Sequence, residues 1–480
     1  MPFFFMRRSR CISLITLCFL IFGFSGCRVY RTHQFEDPTV CVPKTYSVES
    51  GDVNVGYWWR EFQSESLNSL IETALTNNLD IKQSWWQIAQ ACAQARIENA
   101  GRYPEINLLA SGARVLNSGV GFSAGDEFVE GGGFGGGQDA ITTYQITGVL
   151  TYEIDLWRRI DSQVRAACRE WQASQEDLEA TALTLTGTVV SVWLTIQEQL
   201  MLLKVIEEQI EASKTLLELV ELRFVVGQSS ALDVYQQRLQ LAQTVAQKPP
   251  ILSLLETSKN QLKVLLGYPP ECELDVSLED ISLPPFPNLN TPSALFTFRP
   301  DLRAAQQRLE AADYEIASAI ADRFPRFNLD LSYGFRAMKI QDLFNSELYS
   351  IAGDILTPIF DAGRRRAEVD RRKAILCELL FGYSQLFLNA LQEIEDAITQ
   401  ENYTKELIEQ IDNEIEIANS NLNEARSRYV NGLNDYLTVI AAIQSLQNFQ
   451  RERVSEAKNL LAARAQLYRA LGGPRLYLCK

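Results

Sequence analysis

Two long stretches of the chain carry apolar residues at helical spacing and contain no proline. They run from Arg158 to Val226 and from Arg364 to Val430, and each predicts a helix of roughly 67 residues. At about 1.5 Å per residue each helix would extend on the order of 100 Å, about three times the hydrocarbon thickness of a bilayer. Both stretches also contain many charged residues, so we expect neither of them to be a membrane span.

The spacing within the second stretch predicts packing against neighbouring helices. Its apolar positions step by three and four residues, as in a coiled coil: Ile408, Ile411, Ile415, Ala418, Leu422, Ala425 and Tyr429. Nearer its start two apolar stripes run side by side, which is typical of a helix with neighbours on both flanks. Gly227 and Gly432 are predicted to end the long helices, and a helix of about 38 residues is expected to run back from each turn.

Shorter segments change from a helical period to a period of two. Phe327, Leu329, Leu331, Tyr333 and Phe335 alternate with polar residues, and residues 143–154 show the same alternation in the first half. Strands of about ten residues with one apolar and one polar face are typical of a transmembrane β-barrel. One face of a soluble β-sandwich is the alternative explanation of this pattern.

The chain repeats itself. Arg223-Phe224-Val225-Val226-Gly227 returns as Arg428-Tyr429-Val430-Asn431-Gly432 at an offset of 428 − 223 = 205, and Tyr103-Pro104 returns as Phe324-Pro325 at 325 − 104 = 221. The repeat unit is far too long for a solenoid. The first half carries about fifteen extra residues, which include the glycine-rich segment 131–137, predicted to be an enlarged surface loop.

These patterns predict a mainly α protein with membrane β-structure, built from two tandem repeats. The predicted organisation is a lipoprotein signal peptide (1–26), a lipid-anchored periplasmic segment (27–65), a first repeat (66–268) with a β-hairpin at 103–156, a proline-rich equatorial segment (269–292), a second repeat (293–473) with a β-hairpin at 326–360, and a C-terminal tail (474–480). Each repeat also contributes a long helical hairpin, with its tip at Gly227 or Gly432.

Two hairpins provide four strands, which are too few to close a barrel. An open sheet edge in lipid leaves backbone groups unpaired, so other copies of the chain must supply the missing strands. Two copies would give eight strands and an interior filled by side chains, whereas three would give twelve strands and space for a lumen. We therefore expect a homotrimer.

The N-terminus predicts export and lipidation. Arg7, Arg8 and Arg10 precede an apolar run that ends in Phe24-Ser25-Gly26-Cys27. This arrangement resembles a bacterial lipoprotein leader, whose cysteine is acylated, and an ordinary secretory leader is the alternative. Residue 28 is arginine and not the aspartate of many inner-membrane lipoproteins, so we expect the Gram-negative outer membrane with a large periplasmic part.

Composition excludes several classes of function. The formal net charge is −15 and no basic domain is present, which argues against nucleic acid as a partner. The single histidine is His33, and the nine cysteines show no pair at metal-ligand spacing. We predict no metal site, no cofactor and no enzymatic activity.

The assembled motifs resemble the TolC-like outer-membrane channel family, in particular its lipoprotein branch from drug and metal efflux systems. The resemblance covers essentially the whole mature chain. It rests on both Arg-aromatic-X-X-Gly segments and on Trp58-Trp59, Phe62, Leu67, Leu70-Ile71, Ala74-Leu75, Asn78-Leu79-Asp80, Arg299-Pro300-Asp301-Leu302, Ala311-Ala312 and Phe324-Pro325-Arg326. It implies a trimer with a twelve-stranded barrel on a periplasmic α-barrel.

The resemblance also implies where partners bind. The glycine turns would form a periplasmic tip that docks the adaptor protein of a tripartite pump. The tip residues are Arg223, Phe224, Gly227, Arg428, Tyr429 and Gly432. Stabilisation of the helix C-terminus by a cation is the alternative role for Arg223 and Arg428. Asp233 matches a tip aspartate of the family and is a candidate lumen or gate carboxylate. Thr438 and Ala441 occupy positions where some members place a constricting acidic ring, and Asp435 is the candidate substitute. A solvated carboxylate at a helix start is the alternative role for Asp435.

The sequence therefore predicts a passive exit duct of a tripartite efflux or type I secretion system. An inner-membrane transporter of the RND or ABC type and a periplasmic adaptor would supply the energy. A lipid-anchored coiled-coil tether without a pore is the alternative, which leaves the alternating strands unexplained. Arg158, Arg159, Arg364, Arg365 and Arg366 fall where strands become helices, and are predicted either to approach lipid headgroups or to form a solvated collar.

Overall fold

A computed structural model describes residues 30–33, 42–48, 56–116 and 140–477. The predicted signal peptide, Cys27 and the glycine-rich segment 131–137 lie outside these described residues. Contacts divide the chain into two compact units. One unit comprises residues 1–35, 91–171 and 308–378, and the other comprises residues 36–90, 172–307 and 379–480.

The two repeats contain the same order of elements, which confirms the expected fold class. The first repeat contains helices α1 (Glu65–Asn77) and α2 (Leu79–Ala100), strands β1 (Glu105–Leu116) and β2 (Ala140–Ile154), and helices α3 (Arg159–Val225), α4 (Ala231–Ala246) and α5 (Lys248–Leu265). The second contains helices α6 (Leu295–Phe298) and α7 (Pro300–Ala321), strands β3 (Arg326–Ala337) and β4 (Glu347–Leu356), and helices α8 (Arg364–Val430) and α9 (Tyr436–Ala470). Short 3₁₀ helices lie at Trp58–Phe62, Pro292–Ala294 and Ile340–Asn345.

Each repeat closes on itself through a matching contact. Asn78 Nδ2 donates to the carbonyl oxygen of Leu265 at 2.9 Å, and Arg299 Nη1 donates to that of Ala470 at 3.1 Å. The donors are 299 − 78 = 221 positions apart and the acceptors are 470 − 265 = 205 positions apart, which are the two offsets of the sequence repeat. The duplication therefore preserves a contact between the start and the end of each repeat.

Glycines allow the close approach at these contacts. Gly267 and Gly472 have φ angles of 79° and 91°, which L side chains rarely adopt. A Cβ atom would lie 2.7 Å from the carbonyl oxygen of Asn77 at Gly267, and 2.6 Å from that of Phe298 at Gly472. Both glycines are thus required for the turn and for the close packing.

The four strands form one antiparallel sheet in the order β1-β2-β3-β4. Cross-strand neighbours share a face, and their rows have opposite character. One row joins Ile106, Leu150, Leu331 and Ile351, and the row beside it joins Glu105, Thr151, Asp330 and Ala352. The sheet therefore has an apolar face and a polar face, as the alternation predicted, with β1 and β4 at its edges.

Gly334 brings β2 and β3 close together. It pairs with Thr147, which is 3% exposed and covers the glycine. A Cβ atom on Gly334 would lie 2.2 Å from the carbonyl oxygen of Ile146 and 2.5 Å from the Cα atom of Thr147. No side chain fits at this position.

The apolar spacing of α8 corresponds to buried positions. Ile408, Ile411, Ala418, Leu422 and Ala425 are buried at 1–8% exposure. By length and composition alone, α3 and α8 each also contain a stretch that is apolar enough to cross a membrane, a test that buried core helices pass as well. Half of this stretch is buried in α3, and 22% of it in α8.

The return path of the first repeat differs from the sequence prediction. We expected a continuous helix of about 38 residues after Gly227, but α4 ends at Ala246 and α5 begins at Lys248. Pro249 and Pro250 explain the break, because proline lacks the N–H group of a helix interior and clashes with the preceding turn. In the first turn of α5 these prolines are tolerated. The equivalent helix of the second repeat, α9, is continuous over 35 residues.

A buried ion pair holds the proline-rich segment. Arg464 and Glu401 are 2% and 1% exposed, and their side chains form two hydrogen bonds of 2.6 and 2.7 Å. Arg464 Nη1 also donates to the carbonyl oxygen of Pro284, and its guanidinium lies 5.1 Å from the ring centroid of Phe286. This pair joins α8 and α9 to residues 284–286.

Candidate functional site at the paired helix turns

The two glycine turns have the same backbone geometry. Gly227 and Gly432 have φ angles of 73° and 72°. Gln228 N donates to the carbonyl oxygen of Arg223 at 2.7 Å, and Leu433 N donates to that of Arg428 at 2.9 Å. These bonds span six residues and form the Schellman motif that satisfies the last carbonyls of a helix. The Arg-aromatic-X-X-Gly segments therefore specify two equivalent helix ends.

Arg223 links the two turns. Its guanidinium lies 5.3 Å from the ring centroid of Tyr429, and Nη2 donates to the carbonyl oxygen of Val430 at 3.4 Å. Arg428, its counterpart in the second repeat, instead pairs with Glu424 on the same helix at 2.7 Å. Equivalent sequence positions thus perform different roles at the two turns.

Tyr429 and Asp233 form the polar contact across the turns. Tyr429 Oη donates to Asp233 Oδ2 at 2.9 Å. Asp233 also belongs to a capping box: Ser230 caps α4, and the side chains and backbone N–H groups of the two residues bond reciprocally. Burial, followed by the hydrogen bond to Asp233, raises the pKa of Tyr429 to about 12. The hydroxyl therefore remains a donor at neutral pH.

A buried amide network continues from this contact between the helices. Tyr436 Oη donates to Gln237 Oε1 at 2.8 Å, and Gln237 Nε2 donates to the carbonyl oxygen of Ser213 at 2.9 Å. Gln240 Nε2 donates to Gln447 Oε1 at 3.1 Å. Burial raises the pKa of Tyr436. These satisfied polar groups fix how α4 and α9 lie against α3.

Apolar side chains project outward around both turns. Phe224 is 47% exposed, and Val225 is 80% exposed. The same surface includes the exposed side chains of Val226, Leu232, Tyr235, Val430, Leu433 and Leu437. We call this set the turn surface. Concentrated exposed apolar groups with polar neighbours are typical of a protein interaction site.

Asp435 is not drawn into the contact between the turns. It occupies the N-cap position of α9, but its side chain makes no capping hydrogen bond. Among the described residues, Arg223, Tyr429 and Asp233 are thus brought together, whereas Phe224, Arg428 and Asp435 lie on the outside of the turns.

Sequence reasoning missed Ser230, Tyr436 and Gln237. The Ser-X-X-Asp spacing of residues 230–233 is a capping-box signal that marks the start of α4. Tyr436 and Gln237 carry no local signal, because they are 199 residues apart in sequence.

The lipidation candidate Cys27 lies outside the described residues. Within the described ranges, no group of three or more His, Cys, Asp or Glu side chains is placed to hold a metal ion. The cysteines described as free are Cys92, Cys168, Cys272 and Cys377.

A sheet with one apolar and one polar face, connected to long helices that end in paired turns, defines the subunit of an outer-membrane channel. The chain belongs to the family of outer membrane efflux proteins, whose family model matches residues 70–268 and 292–473. This is a family of transport channels and not of enzymes. The channel class, the fold and the outer-membrane location expected from the sequence are confirmed.

Curated relatives agree with this assignment, and a solved structure agrees with the fold. The chain is 30% identical to the pyoverdine export outer membrane protein OpmQ of Pseudomonas putida strain KT2440, over 87% of each chain. It is 29% identical to the toluene efflux pump outer membrane protein TtgI of another strain of Pseudomonas putida, over 86% of each chain. A structure of the outer-membrane channel OprN superposes with a TM-score of 0.81 at 24% identity, covering 93% of this chain and 98% of OprN.

Proposed function

We propose that this chain is the passive outer-membrane exit duct of a tripartite efflux or type I secretion system, and that it acts as a homotrimer. The observation that carries the proposal is the four-stranded sheet, which has an apolar face, a polar face and two edge strands, β1 and β4. Such a sheet is stable in lipid only when other copies complete it. Three copies give twelve strands and a water-filled lumen lined by the polar face.

The turn surface is the proposed docking site for the periplasmic adaptor. Gly227 and Gly432 fix the turns, Phe224 supplies exposed apolar area, and Arg428 is exposed as well. Arg223, Tyr429 and Asp233 hold the two turns together, so they are the proposed contacts that break when the channel opens. Asp435, which makes no capping bond, is the second proposed gate carboxylate besides Asp233 and would face the lumen.

Cys27 is the proposed lipidation site, so the mature chain would begin at an acylated residue. Energy for transport comes from an inner-membrane RND-type or ABC-type transporter, and the chain itself catalyses no reaction. The relatives named for pyoverdine export and toluene efflux differ in cargo. This difference supports cargo selection by the transporter and not by the duct.

Conductance tests the duct against a lipid-anchored tether. Purified protein should be a trimer by native mass spectrometry and should conduct ions in a planar bilayer. A monomer, or a trimer that does not conduct, would favour the tether and contradict the proposal.

Docking is tested by charge on the turn surface. Phe224→Asp and Leu433→Asp should abolish adaptor binding to the purified trimer, because each buries an unpaired carboxylate in the interface. Val264→Asp, at a 59% exposed position near the end of α5, is the matched control and should bind normally. Normal binding by both turn variants would disprove docking at this surface.

A further inference from the structure

The four strand ends that connect to helices lie at one end of the sheet, which we call the helix-connected end. Glu105 at the start of β1 faces Thr151 of β2, Ile154 at the end of β2 faces Phe327 of β3, and Arg326 faces Leu356. The chain therefore enters and leaves both hairpins at this end. This inference depends on the proposed function, in which the helix-connected end lies in the periplasm-facing leaflet.

Arginines concentrate at the helix-connected end, and the two repeats differ in which of these arginines are paired with carboxylates. In the first repeat, Arg159 forms two hydrogen bonds with Glu153, of 2.8 and 3.0 Å. In the second repeat, Asp322 and Asp361 are occupied by Arg326 and Arg365.

Three exposed arginines lie near this end of the sheet in the second repeat. Arg323, Arg364 and Arg366 are exposed, and no carboxylate within the described part of the chain pairs with them. The contact between Arg365 and Asp322, at 3.2 Å, places residue 323 beside the start of α8. Each of the three arginines is thus the immediate sequence neighbour of a residue in this contact, which places their backbones close together.

Helix stability does not account for Arg364 and Arg366. Arg364, Arg365 and Arg366 are the first three residues of α8, at the positive end of the helix dipole, where cations are unfavourable. Asp361 already accepts from Gly363 N at 3.1 Å and from Arg365 N at 3.3 Å. A sequence that breaks a local rule without a local gain indicates a functional requirement.

Apolar residues precede the arginines in the chain. Ile359 and Phe360, three and four residues after the end of β4, are 95% and 91% exposed. Along the chain, the order is a strand in lipid, two exposed apolar side chains, and then free cations. The same order of environments, acyl chains followed by charged headgroups, is met on leaving a bilayer.

We propose that Ile359, Phe360, Arg323, Arg364 and Arg366 form a binding site for an anionic phospholipid of the periplasm-facing leaflet. Phe360 and Ile359 contact the acyl chains, and the three guanidinium groups bind the phosphate and the further negative charge of the headgroup.

A lipid fits this site better than a neighbouring subunit does, because three unpaired cations need an occupant with more than one negative charge. In the proposed trimer, the start of β1 of a neighbouring subunit would lie beside the end of β4 at the helix-connected end. It carries a single carboxylate, that of Glu105, and Arg102 close by in the sequence is itself a cation. One carboxylate cannot neutralise three guanidinium groups.

The test measures lipid preference of the intact protein. Native mass spectrometry of detergent-purified protein, titrated with phosphatidylglycerol or phosphatidylcholine, gives the ratio of the two affinities. The variant Arg323→Gln/Arg364→Gln/Arg366→Gln should lose the preference for phosphatidylglycerol by about tenfold or more. The corresponding triple lysine variant should keep it. Phe360→Ala should weaken both lipids equally.

The matched control is Lys214→Gln/Arg238→Gln/Lys248→Gln, which removes three exposed charges on α3, α4 and α5 and should keep the preference. An unchanged preference in the triple glutamine variant would overturn the proposal. Should that variant not assemble, Arg364→Gln and Arg366→Gln measured singly must each lower the preference about twofold, and no change in both would overturn it equally. A wild-type protein that is monomeric and non-conducting would refute the duct, whatever its lipid preference.

Discussion

Tyr429 combines three contacts that its counterpart Phe224 does not make. Its ring contacts the Arg223 guanidinium and lies 4.8 Å from the ring centroid of Tyr436, while its hydroxyl donates to Asp233. Phe224 has no hydroxyl and is 47% exposed. The duplication thus kept the backbone of the turn and assigned one aromatic residue to the contact between turns and the other to the surface.

Removing the Tyr429 hydroxyl should favour the open channel. Tyr429→Phe keeps the ring against Arg223 and leaves the capping box of Ser230 and Asp233 intact. Loss of the hydrogen bond is worth about 1 kcal/mol per subunit, or about 3 kcal/mol per trimer, so the ratio of open to closed channels should rise by about two orders of magnitude when the three subunits open together. Single-channel recording in planar bilayers measures this ratio.

Tyr403→Phe is the control, because Tyr403 is 69% exposed on the same helix. Its open probability should equal that of the wild type. If Tyr429→Phe also behaves as wild type, the contact between Tyr429 and Asp233 does not hold the turns closed.

At residue scale, the sequence predicted backbone geometry better than side-chain roles. Gly227 and Gly432 were identified as turns because a glycine after a helical period has a local cause, its positive φ angle. Arg223 and Arg428 occupy identical motifs, yet one contacts the opposite turn and the other pairs with Glu424. That difference arises from packing between helices distant in sequence, which no local pattern encodes.

At the scale of elements, the ion pair of Glu401 and Arg464 is the contact most sensitive to change. Glu401→Gln leaves the Arg464 guanidinium buried without its counter-charge, which should lower the free energy of unfolding by about 3 kcal/mol. Asp412→Asn removes an exposed pair with Arg453 between the same two helices and should lower it by less than about 1 kcal/mol. Chemical denaturation of both variants tests the difference, and equal losses would contradict it.

Acid should reveal the same ion pair. Although burial alone would raise it, hydrogen bonds from Arg464 and Lys405 hold the pKa of Glu401 below its ordinary value of 4.5. A lowered folded-state pKa contributes stability above the unfolded-state value, and this stability is lost as pH falls through the folded-state value. Wild-type protein should therefore lose stability below about pH 4.5 more steeply than Glu401→Gln. Parallel curves for the two proteins would contradict this assignment.

The close contact at Gly334 gives a prediction for the stability of the sheet. Gly334→Ala places a Cβ atom against the backbone of Ile146 and Thr147, which should force β2 and β3 apart and destabilise the sheet by about 1 to 3 kcal/mol. Gly353→Ala on β4 meets no atom within 4 Å and is the matched control. The temperature at which trimers dissociate on a denaturing gel should fall only for Gly334→Ala; equal temperatures would show that the strands accommodate the methyl group.

The elements also show where pattern reading is incomplete. Apolar spacing located α3, α8 and both hairpins, because burial of one face imposes a period on the sequence. The same approach joined α4 and α5 into one helix, although Pro249 and Pro250 are visible in the sequence. Two consecutive prolines lack the N–H groups that a continuous helix needs, and this outweighs the helix-forming composition around them.

For the whole molecule, the order of the strands determines how the subunits assemble. β1 and β4 are the outer strands of the sheet, and each has one edge without a partner strand, so the next strand of the barrel must come from another copy. Closure then joins β4 of one subunit to β1 of its neighbour. This junction is the feature that separates a channel from a monomeric sheet.

Cysteine pairs test that junction directly. In a background without cysteines other than Cys27, Ser350→Cys on β4 is combined in turn with Asn107→Cys, Leu109→Cys and Ser111→Cys on β1. Cβ atoms of adjacent strands approach within disulfide range, so one register should give disulfide-linked dimers and trimers. Val149→Cys with Ser332→Cys, which face each other across β2 and β3 of one chain, should give only monomers. Monomers from all three combinations would show that these edges do not meet in a closed ring.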